Sequence, residues 1–227
     1  MRLFQLDKKV FSVTNGAEKL LNGLTSNDVN QPFNAFCNLH GRIVATFAQK
    51  KNGADEFLLV VAADAVKGLL EHLDRYIKLS KVGFVPKPDL NVYFDPDGDY
   101  KPGAGEVVIP ETIGQYVITE QTLEPSFGKG TFTLFRLQNN IPLHCVDYFD
   151  DFLLNVDEEK YVSYTKGCFL GQEPISKVHN RSQPSWRLVV KYEGECNEEE
   201  KKKMTSKMEH PDNGKVMGFT FERNQAE

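Results

Sequence analysis

The sequence predicts an α+β fold, because strand-like and helix-like patterns follow one another in mixed order along the chain. The helical pattern is strongest at 64–79, where apolar residues recur at steps of three and four residues. The clearest strand is the continuous apolar run at 57–62, and two β-prone runs at 35–39 and 43–49 flank the turn His40-Gly41-Arg42. A chain of 227 residues can bury a sizeable core around such elements.

The remaining elements follow from the same two patterns. Asn15 and Glu18 are spaced like a helix-capping pair, and Gly23 is placed to end the short helix that they begin. Proline and glycine dominate 95–105, which predicts a loop or a joint between subdomains. Further strands are predicted at 4–13, 82–85, 90–94, 116–119, 131–137, 186–192 and 215–221.

Three charged or polar segments are predicted to lie at the surface. The acidic and aromatic stretch 147–151 fits a solvated loop better than a divalent-cation site. The charge-blocked stretch 198–203 predicts a solvated face or loop, and 179–184 predicts a polar turn.

Composition limits the classes of partner. The formal net charge of -5 argues against broad electrostatic binding to nucleic acid or to an acidic membrane, so a small molecule or another protein is the expected partner. The 4 cysteines form no Cys-x-x-Cys pair and no zinc-like spacing with histidine, which predicts no self-contained metal site. No apolar run follows the charges at the N-terminus, so we expect a cytoplasmic protein with reduced thiols.

The densest chemistry in the chain lies at 166–173, Lys-Gly-Cys-Phe-Leu-Gly-Gln-Glu. Gly167 and Gly171 favour a shaped loop over ordinary helix. A thiol beside Lys166 can have its thiolate stabilised, which would make Cys168 a nucleophile or a metal ligand. The alternative, in which Cys168 is a small buried hydrophobe in a tight turn, remains open on residue chemistry alone.

This octapeptide resembles the K-G-C-[YF]-x-G-Q-E signature of the YgfZ family, relatives of the glycine-cleavage T-protein with a mitochondrial branch in iron–sulfur assembly. Weaker agreement extends along nearly the whole chain. The matching segments are Leu-Thr-Ser-Asn-Asp-Val at 24–29, Leu-His-Gly-Arg-Ile at 39–43, Asn-Ile-Pro at 140–142, Met-Thr-Ser at 204–206 and Gly-Phe at 218–219.

The resemblance implies an architecture and a set of partners. The body, at 1–185, would contain two related α/β subdomains around a central opening, with their joint near 95–115. A short antiparallel β-barrel-like segment would follow at 186–227. The opening would hold tetrahydrofolate or a related folate, and the protein would be a cytoplasmic monomer that serves iron–sulfur assembly or client proteins, with a link to tRNA modification.

The same resemblance assigns roles to residues. Cys168 would be the functional thiol, Lys166 would hold its thiolate form, and Gln172 and Glu173 would orient the loop or bind the ligand. Candidate ligand contacts are Asn27, Glu173, Arg42 and Arg181. The two arginines suit a carboxylate tail, and surface solvation is the alternative for each.

Departures from the family pattern bear on function. Where the aminomethyl-transferring relatives carry an aspartate, 41–46 has no carboxylate, so the chain lacks the group that such chemistry needs for proton transfer. Leu153 stands where relatives carry a carboxylate that could grip the pterin, and the segment after Trp186 is shorter than the usual barrel.

The leading hypothesis is therefore an iron–sulfur assembly or repair factor that binds folate and is not a conventional enzyme. The alternatives are a folate-dependent one-carbon transferase and a non-catalytic docking module.

Overall fold

The computed structural model describes residues 2–224, whose strands form three antiparallel sheets. The first has the strand order β3-β4-β5-β2-β6 and consists of β2 (Lys8–Thr14), β3 (Phe33–Cys37), β4 (Ile43–Lys51), β5 (Glu56–Ala62) and β6 (Gly83–Pro86). The second has the order β1-β7-β9-β8 and consists of β1 (Phe4–Gln5), β7 (Asn91–Asp95), β8 (Val107–Pro110) and β9 (Gln115–Thr119). The third has the order β10-β12-β11 and consists of β10 (Trp186–Tyr192), β11 (Thr205–Glu209) and β12 (Val216–Arg223).

Six helices connect or cover these sheets in the described part of the chain. They are α1 (Ala17–Leu24), α2 (Val66–Ser80), α3 (Lys129–Gln138), α4 (Glu158–Tyr161), α5 (Gln172–Arg181) and α6 (Glu198–Lys203). None of the helices within residues 2–224 has the length and apolarity to cross a membrane.

The first sheet is buried on both faces. On one face, Phe11 of β2 and Leu59 of β5 pack with Leu69 of α2. On the other face, Val10 and Val60 belong to a larger core that includes residues of the second sheet. Because successive side chains of a strand alternate between faces, a strand covered on both sides is apolar throughout, which explains the continuous run predicted as a strand at 57–62.

The hairpin and the long helix are confirmed as elements, and their ends differ from the predicted ones. Helix α2 begins at Val66 after a 3₁₀ turn at Ala63–Ala65, and no side chain caps it. Helix α1 begins after Gly16, whose φ is 94°, rather than under an Asn15 cap, and it runs past Gly23 to Leu24. The start of α1 is therefore set by the left-handed backbone of Gly16 and not by the predicted capping pair of Asn15 and Glu18.

The strand predicted at 131–137 is wrong, because these residues lie in α3. Phe132, Arg136 and Leu137 occupy one buried face of the helix. The ring of Phe132 stacks on Phe4 with centroids 4.2 Å apart. Tertiary packing of this face outweighs the β propensity of the individual residues.

The second sheet corrects one further prediction and confirms the loop at 95–105. The predicted first strand at 4–13 divides into β1 and β2, which belong to different sheets. The chain passes from the first sheet to the second between β6 and β7, so the proline- and glycine-rich stretch joins β7 to β8 within one sheet. The carboxylate of Asp95 accepts hydrogen bonds from the backbone N–H groups of Asp97 and Tyr100, which fold this loop around it.

The third sheet is open, with β10 and β11 as its two edges, so the predicted barrel-like closure is not confirmed. At 198–203, where a solvated loop or face was predicted, the chain forms α6, and Asn197 and Glu200 make a capping box at its start.

A buried ion pair joins the third sheet to the body. Arg136 Nη1 lies 2.6 Å from Asp147 Oδ2, and both side chains are almost fully buried. Asp147 also accepts hydrogen bonds from the hydroxyls of Thr205 and Ser206 on β11. Asp147 therefore lies in the interior and not in a solvated acidic loop. The sequence did not indicate this, because the buried arginine that neutralises Asp147 is brought to it only by the fold.

Candidate functional site

The loop that carries Cys168 lies between α4 and α5 and packs against the β3–β4 hairpin. Gly171 ends the loop with φ 84° and precedes the first residue of α5. A Cβ at this position would lie 2.4 Å from the carbonyl oxygen of Asn38 and 3.3 Å from Cys37 Cβ. Glycine is needed here both for the backbone conformation and for the close approach to the hairpin.

The hairpin turn in return packs against α5. Gly41 has φ 70°, and a Cβ there would lie 2.8 Å from Phe152 Cε2 and 3.0 Å from Ile175 Cγ1. Ile175 of α5 is fully buried in the core. The hairpin and the cysteine loop, more than 120 residues apart in sequence, therefore fix each other's position.

Gly167 behaves differently from Gly171. Its φ lies outside the left-handed region, and no atom beyond its neighbours lies within 4 Å of an added Cβ. Of the two motif glycines, only Gly171 is required by the fold.

Cys168 is exposed, in contrast to the other three cysteines. Cys37 and Cys196 are buried and Cys145 is half-buried. Burial raises the pKa of Cys37 to about 12, and it also raises the pKa values of Cys145 and Cys196. The structure therefore leaves Cys168 as the accessible thiol, and the interpretation of this residue as a buried hydrophobe is wrong.

Lys166 ties the cysteine loop to the turn at 24–29. Its ammonium donates hydrogen bonds to the backbone carbonyls of Thr25 and Asn27, the latter at 2.9 Å. Burial lowers the pKa of Lys166 to about 8, while Asp28 acts in the opposite direction. These contacts position the loop, and the predicted role of Lys166 as a partner of the thiolate stays a prediction.

Asn27 is buried, and its side-chain amide is committed to the backbone. Its Nδ2 donates to the carbonyls of Phe33 and Lys160, and its Oδ1 accepts from the N–H of Asp28. The amide therefore joins α4 to the turn before β3, and Asn27 still contributes to the wall of a cavity.

The other predicted contacts lie apart from this cavity. Arg42 pairs with Asp150 at 3.0 Å on the surface. Gln172 and Glu173 form the first turn of α5, and Arg181 is exposed in its last turn, so the polar turn predicted at 179–184 is in part helical. The structure brings Asn27 and Lys166 together but does not bring Arg42 or Arg181 to the cavity wall.

The cavity itself has a volume of about 900 Å³ and lies where the turn at 24–29, β8, the end of α3 and α4 meet. Its charged lining includes an ion pair in which Lys160 Nζ lies 2.6 Å from Glu111 Oε2. Burial acts to lower the pKa of Lys160, but Glu111 raises it above its usual value. Burial raises the pKa of the neighbouring Asp157.

Between the first and second sheets, uncharged side chains lie at positions 46, 148 and 153. Thr46 Oγ1 and the hydroxyl of Tyr148 lie 2.7 Å apart, and Leu153 is fully buried in the same core. Burial raises the pKa of Tyr148 well above its usual range, so its hydroxyl stays protonated.

One polar cluster beside the cysteine loop was missed by the sequence reasoning. His179 Nδ1 lies 2.5 Å from Glu158 Oε1, which also accepts a hydrogen bond from the hydroxyl of Tyr164. The rings of Tyr164 and His179 stack with centroids 3.7 Å apart. Glu158 lies in α4 and His179 in α5, so the pairing arises from tertiary contact and no local sequence signal indicated it.

Comparison with known proteins identifies the fold. No family model matches the chain. An uncharacterized protein of Haemophilus influenzae is 26% identical over 180 residues, which are 73% of this chain and 63% of that protein. The chain thus spans less than two thirds of the length of the curated relative that it matches.

A structural similarity reaches further. The crystal structure of glycine cleavage system aminomethyltransferase T from Bartonella henselae superposes with a TM-score of 0.70 at 13% sequence identity, covering 97% of this chain and 78% of that one. The chain therefore has the aminomethyltransferase T fold.

Proposed function

We propose that this protein is an accessory factor of the YgfZ kind, which binds a folate-type ligand and supports iron–sulfur cluster assembly or repair through Cys168. The observation that carries the proposal is the position of the thiol. Cys168 is exposed on a loop that Gly171 and Lys166 hold against two structural neighbours, the hairpin and the turn at 24–29. An accessible thiol on a fixed loop suits transient chemistry with a partner protein.

The cavity supports the folate part of the proposal. Its volume of about 900 Å³ lies in the range of sites for small ligands. The N–H groups at the edge of a pteridine ring are hydrogen-bond donors, and the carboxylates of Asp157 and Glu111 line the cavity as acceptors. Asp157 would thus replace the carboxylate that relatives carry at the position of Leu153.

The cavity and the thiol loop are neighbours, which supports a link between ligand and thiol. Ser163 and Thr165 line the cavity and directly precede Lys166 in the chain. Lys166 in turn binds the carbonyl of Asn27, which also contributes to the cavity wall. A ligand in the cavity would therefore touch the segments that hold the loop.

The transferase alternative is weaker. Thr46 and Tyr148 are uncharged, and the Asp150 carboxylate beside the hairpin is paired with Arg42 on the surface. The raised pKa of Tyr148 keeps its hydroxyl protonated, so it does not accept a proton at neutral pH. The predicted cytoplasmic location, the monomeric state, the division of the chain at 185 and the link to tRNA modification stay predictions.

The proposal is tested by complementation in cells that lack the protein. Cys168→Ala should fail to restore the activity of iron–sulfur enzymes, while Cys145→Ala, at a half-buried thiol, should restore it. Urea unfolding of both purified variants checks that the fold is intact. Full restoration by Cys168→Ala would exclude the thiol role and favour the docking module.

A further inference from the structure

The charge of the cavity differs from what a polyanionic ligand needs. Its lining carries one ammonium, that of Lys160, and four carboxylates. These carboxylates belong to Asp28, Glu111, Asp157 and Glu159. Lys160 is paired with Glu111. The other three carboxylates have no ion-pair partner within residues 2–224.

The three carboxylates retain free acceptor capacity. Asp28 Oδ1 accepts hydrogen bonds from the backbone and side chain of Asn30, and Asp157 Oδ1 accepts one from the N–H of Lys160. In the described chain, the second oxygen of each carboxylate has no hydrogen-bond donor from the protein. Glu159 is exposed at the rim. The lining therefore favours ligand groups that donate hydrogen bonds.

The cations next to the cavity lie outside its lining. Lys166 binds backbone carbonyls and is attracted by Asp28, and the Nζ of Lys8 lies 5.8 Å from the ring centroid of Tyr116; neither lysine belongs to the lining. Arg42 and Arg181, the residues expected to bind a carboxylate tail, do not line the cavity either. A glutamate tail would consequently meet like charge without a guanidinium to bind it.

We infer that the cavity takes a reduced pteridine by its ring alone, and that each glutamate added to the ligand weakens binding. The inference rests on the proposed function, because it assigns the class of folate-type ligand that the cavity prefers. Hydrogen-bond donors of the ring face Asp157 and Asp28, while the negative tail is repelled at the rim by Glu159.

The test compares three ligands under anaerobic conditions by isothermal titration. These are 6-methyltetrahydropterin, tetrahydrofolate with one glutamate, and tetrahydrofolate with three. We expect affinity to fall in this order. The total decrease at low salt should be about threefold or more, which is the scale of a weak like-charge contact. The difference should shrink at high salt, because salt screens the repulsion. Affinity that rises with the number of glutamates would overturn the inference and leave the proposed function standing. Absence of binding by all three ligands would overturn both, since no folate-type ligand would then be held.

A charge reversal at the rim distinguishes the effect of the glutamate tail on affinity from the effect of the ring. Glu159→Lys should increase affinity for the triglutamate, relative to affinity for 6-methyltetrahydropterin, by about threefold or more, which is the effect of replacing repulsion of the tail by a weak attraction. Glu71→Lys, at an exposed position of α2 outside the cavity lining, is the matched control and should change neither affinity. An equal ratio of the two affinities in wild type and Glu159→Lys would overturn the inference.

Discussion

Replacement of Gly171 by alanine is the sharpest test of how the cysteine loop is held. The added Cβ would lie 2.4 Å from the carbonyl oxygen of Asn38, and the residue would have to keep a φ of 84°. A left-handed conformation costs a non-glycine residue about 1–2 kcal/mol, and insertion of a carbon into a packed site costs about 1–3 kcal/mol more. Since the clash involves backbone of the hairpin, a side-chain rotation cannot relieve it. We expect these two costs to make Gly171→Ala less stable, by about 2–5 kcal/mol in the free energy of unfolding, than an alanine substitution of a glycine that causes no strain.

Gly167→Ala is the matched control from the same motif. An added Cβ at Gly167 meets no atom within 4 Å, and its φ is not left-handed. Both substitutions reduce the freedom of the unfolded chain equally, by an amount worth about 0.4–1 kcal/mol, so their difference isolates the folded state. Gly167→Ala should therefore be as stable as the wild type or slightly more stable.

Urea unfolding followed by circular dichroism measures both variants. With a denaturant slope of about 2 kcal/mol per molar, the midpoint of Gly171→Ala should lie about 1–2.5 M below that of Gly167→Ala. Midpoints that agree within about 0.3 M would refute the claim that close packing on the hairpin fixes the loop.

The remaining predictions concern single groups. In the native protein, Cys168 should react with a thiol reagent well before the other three cysteines, and Cys168→Ser should remove the fast phase; an unchanged fast phase would show that another thiol is accessible. Arg136→Ala should lower the free energy of unfolding by about 3–5 kcal/mol, because it leaves the Asp147 carboxylate buried and unpaired, and a loss below about 1 kcal/mol in urea unfolding would contradict this. For Lys166, a folded-state pKa of about 8 below the ordinary value of 10.5 means that the unfolded chain binds the extra proton between these pH values. Stability of the wild type should therefore rise with pH in that window relative to Lys166→Met, and parallel pH profiles of the two proteins would exclude the shift.

Local pattern predicted several elements of this fold correctly. The apolar run at 57–62 and the turn at 40–42 were sufficient for β5 and the hairpin, and the periodicity at 64–79 was sufficient for α2. Each pattern reflects a side-chain repeat that a single element imposes by itself. The dense motif at 166–173 also marked, from sequence alone, the segment that carries the exposed thiol.

Local pattern failed where a distant partner decided the outcome. The β-prone residues at 131–137 form α3 because one helical face packs against Phe4 and the large core. Asp147 is buried because Arg136 neutralises it and hydroxyls of β11 bind it. Neither partner can be recognised from the neighbourhood of the residue in the sequence.

The candidate site shows the same division. The sequence by itself determined which chemical groups the thiol loop contains, because residue type and spacing are local properties. Only the tertiary structure decided that Gly171, but not Gly167, is sterically required, and that Lys166 binds carbonyls of a turn about 140 residues earlier. The acidic cavity likewise gathers carboxylates from positions 28, 111, 157 and 159, since its charge arises from segments that meet only when the chain folds.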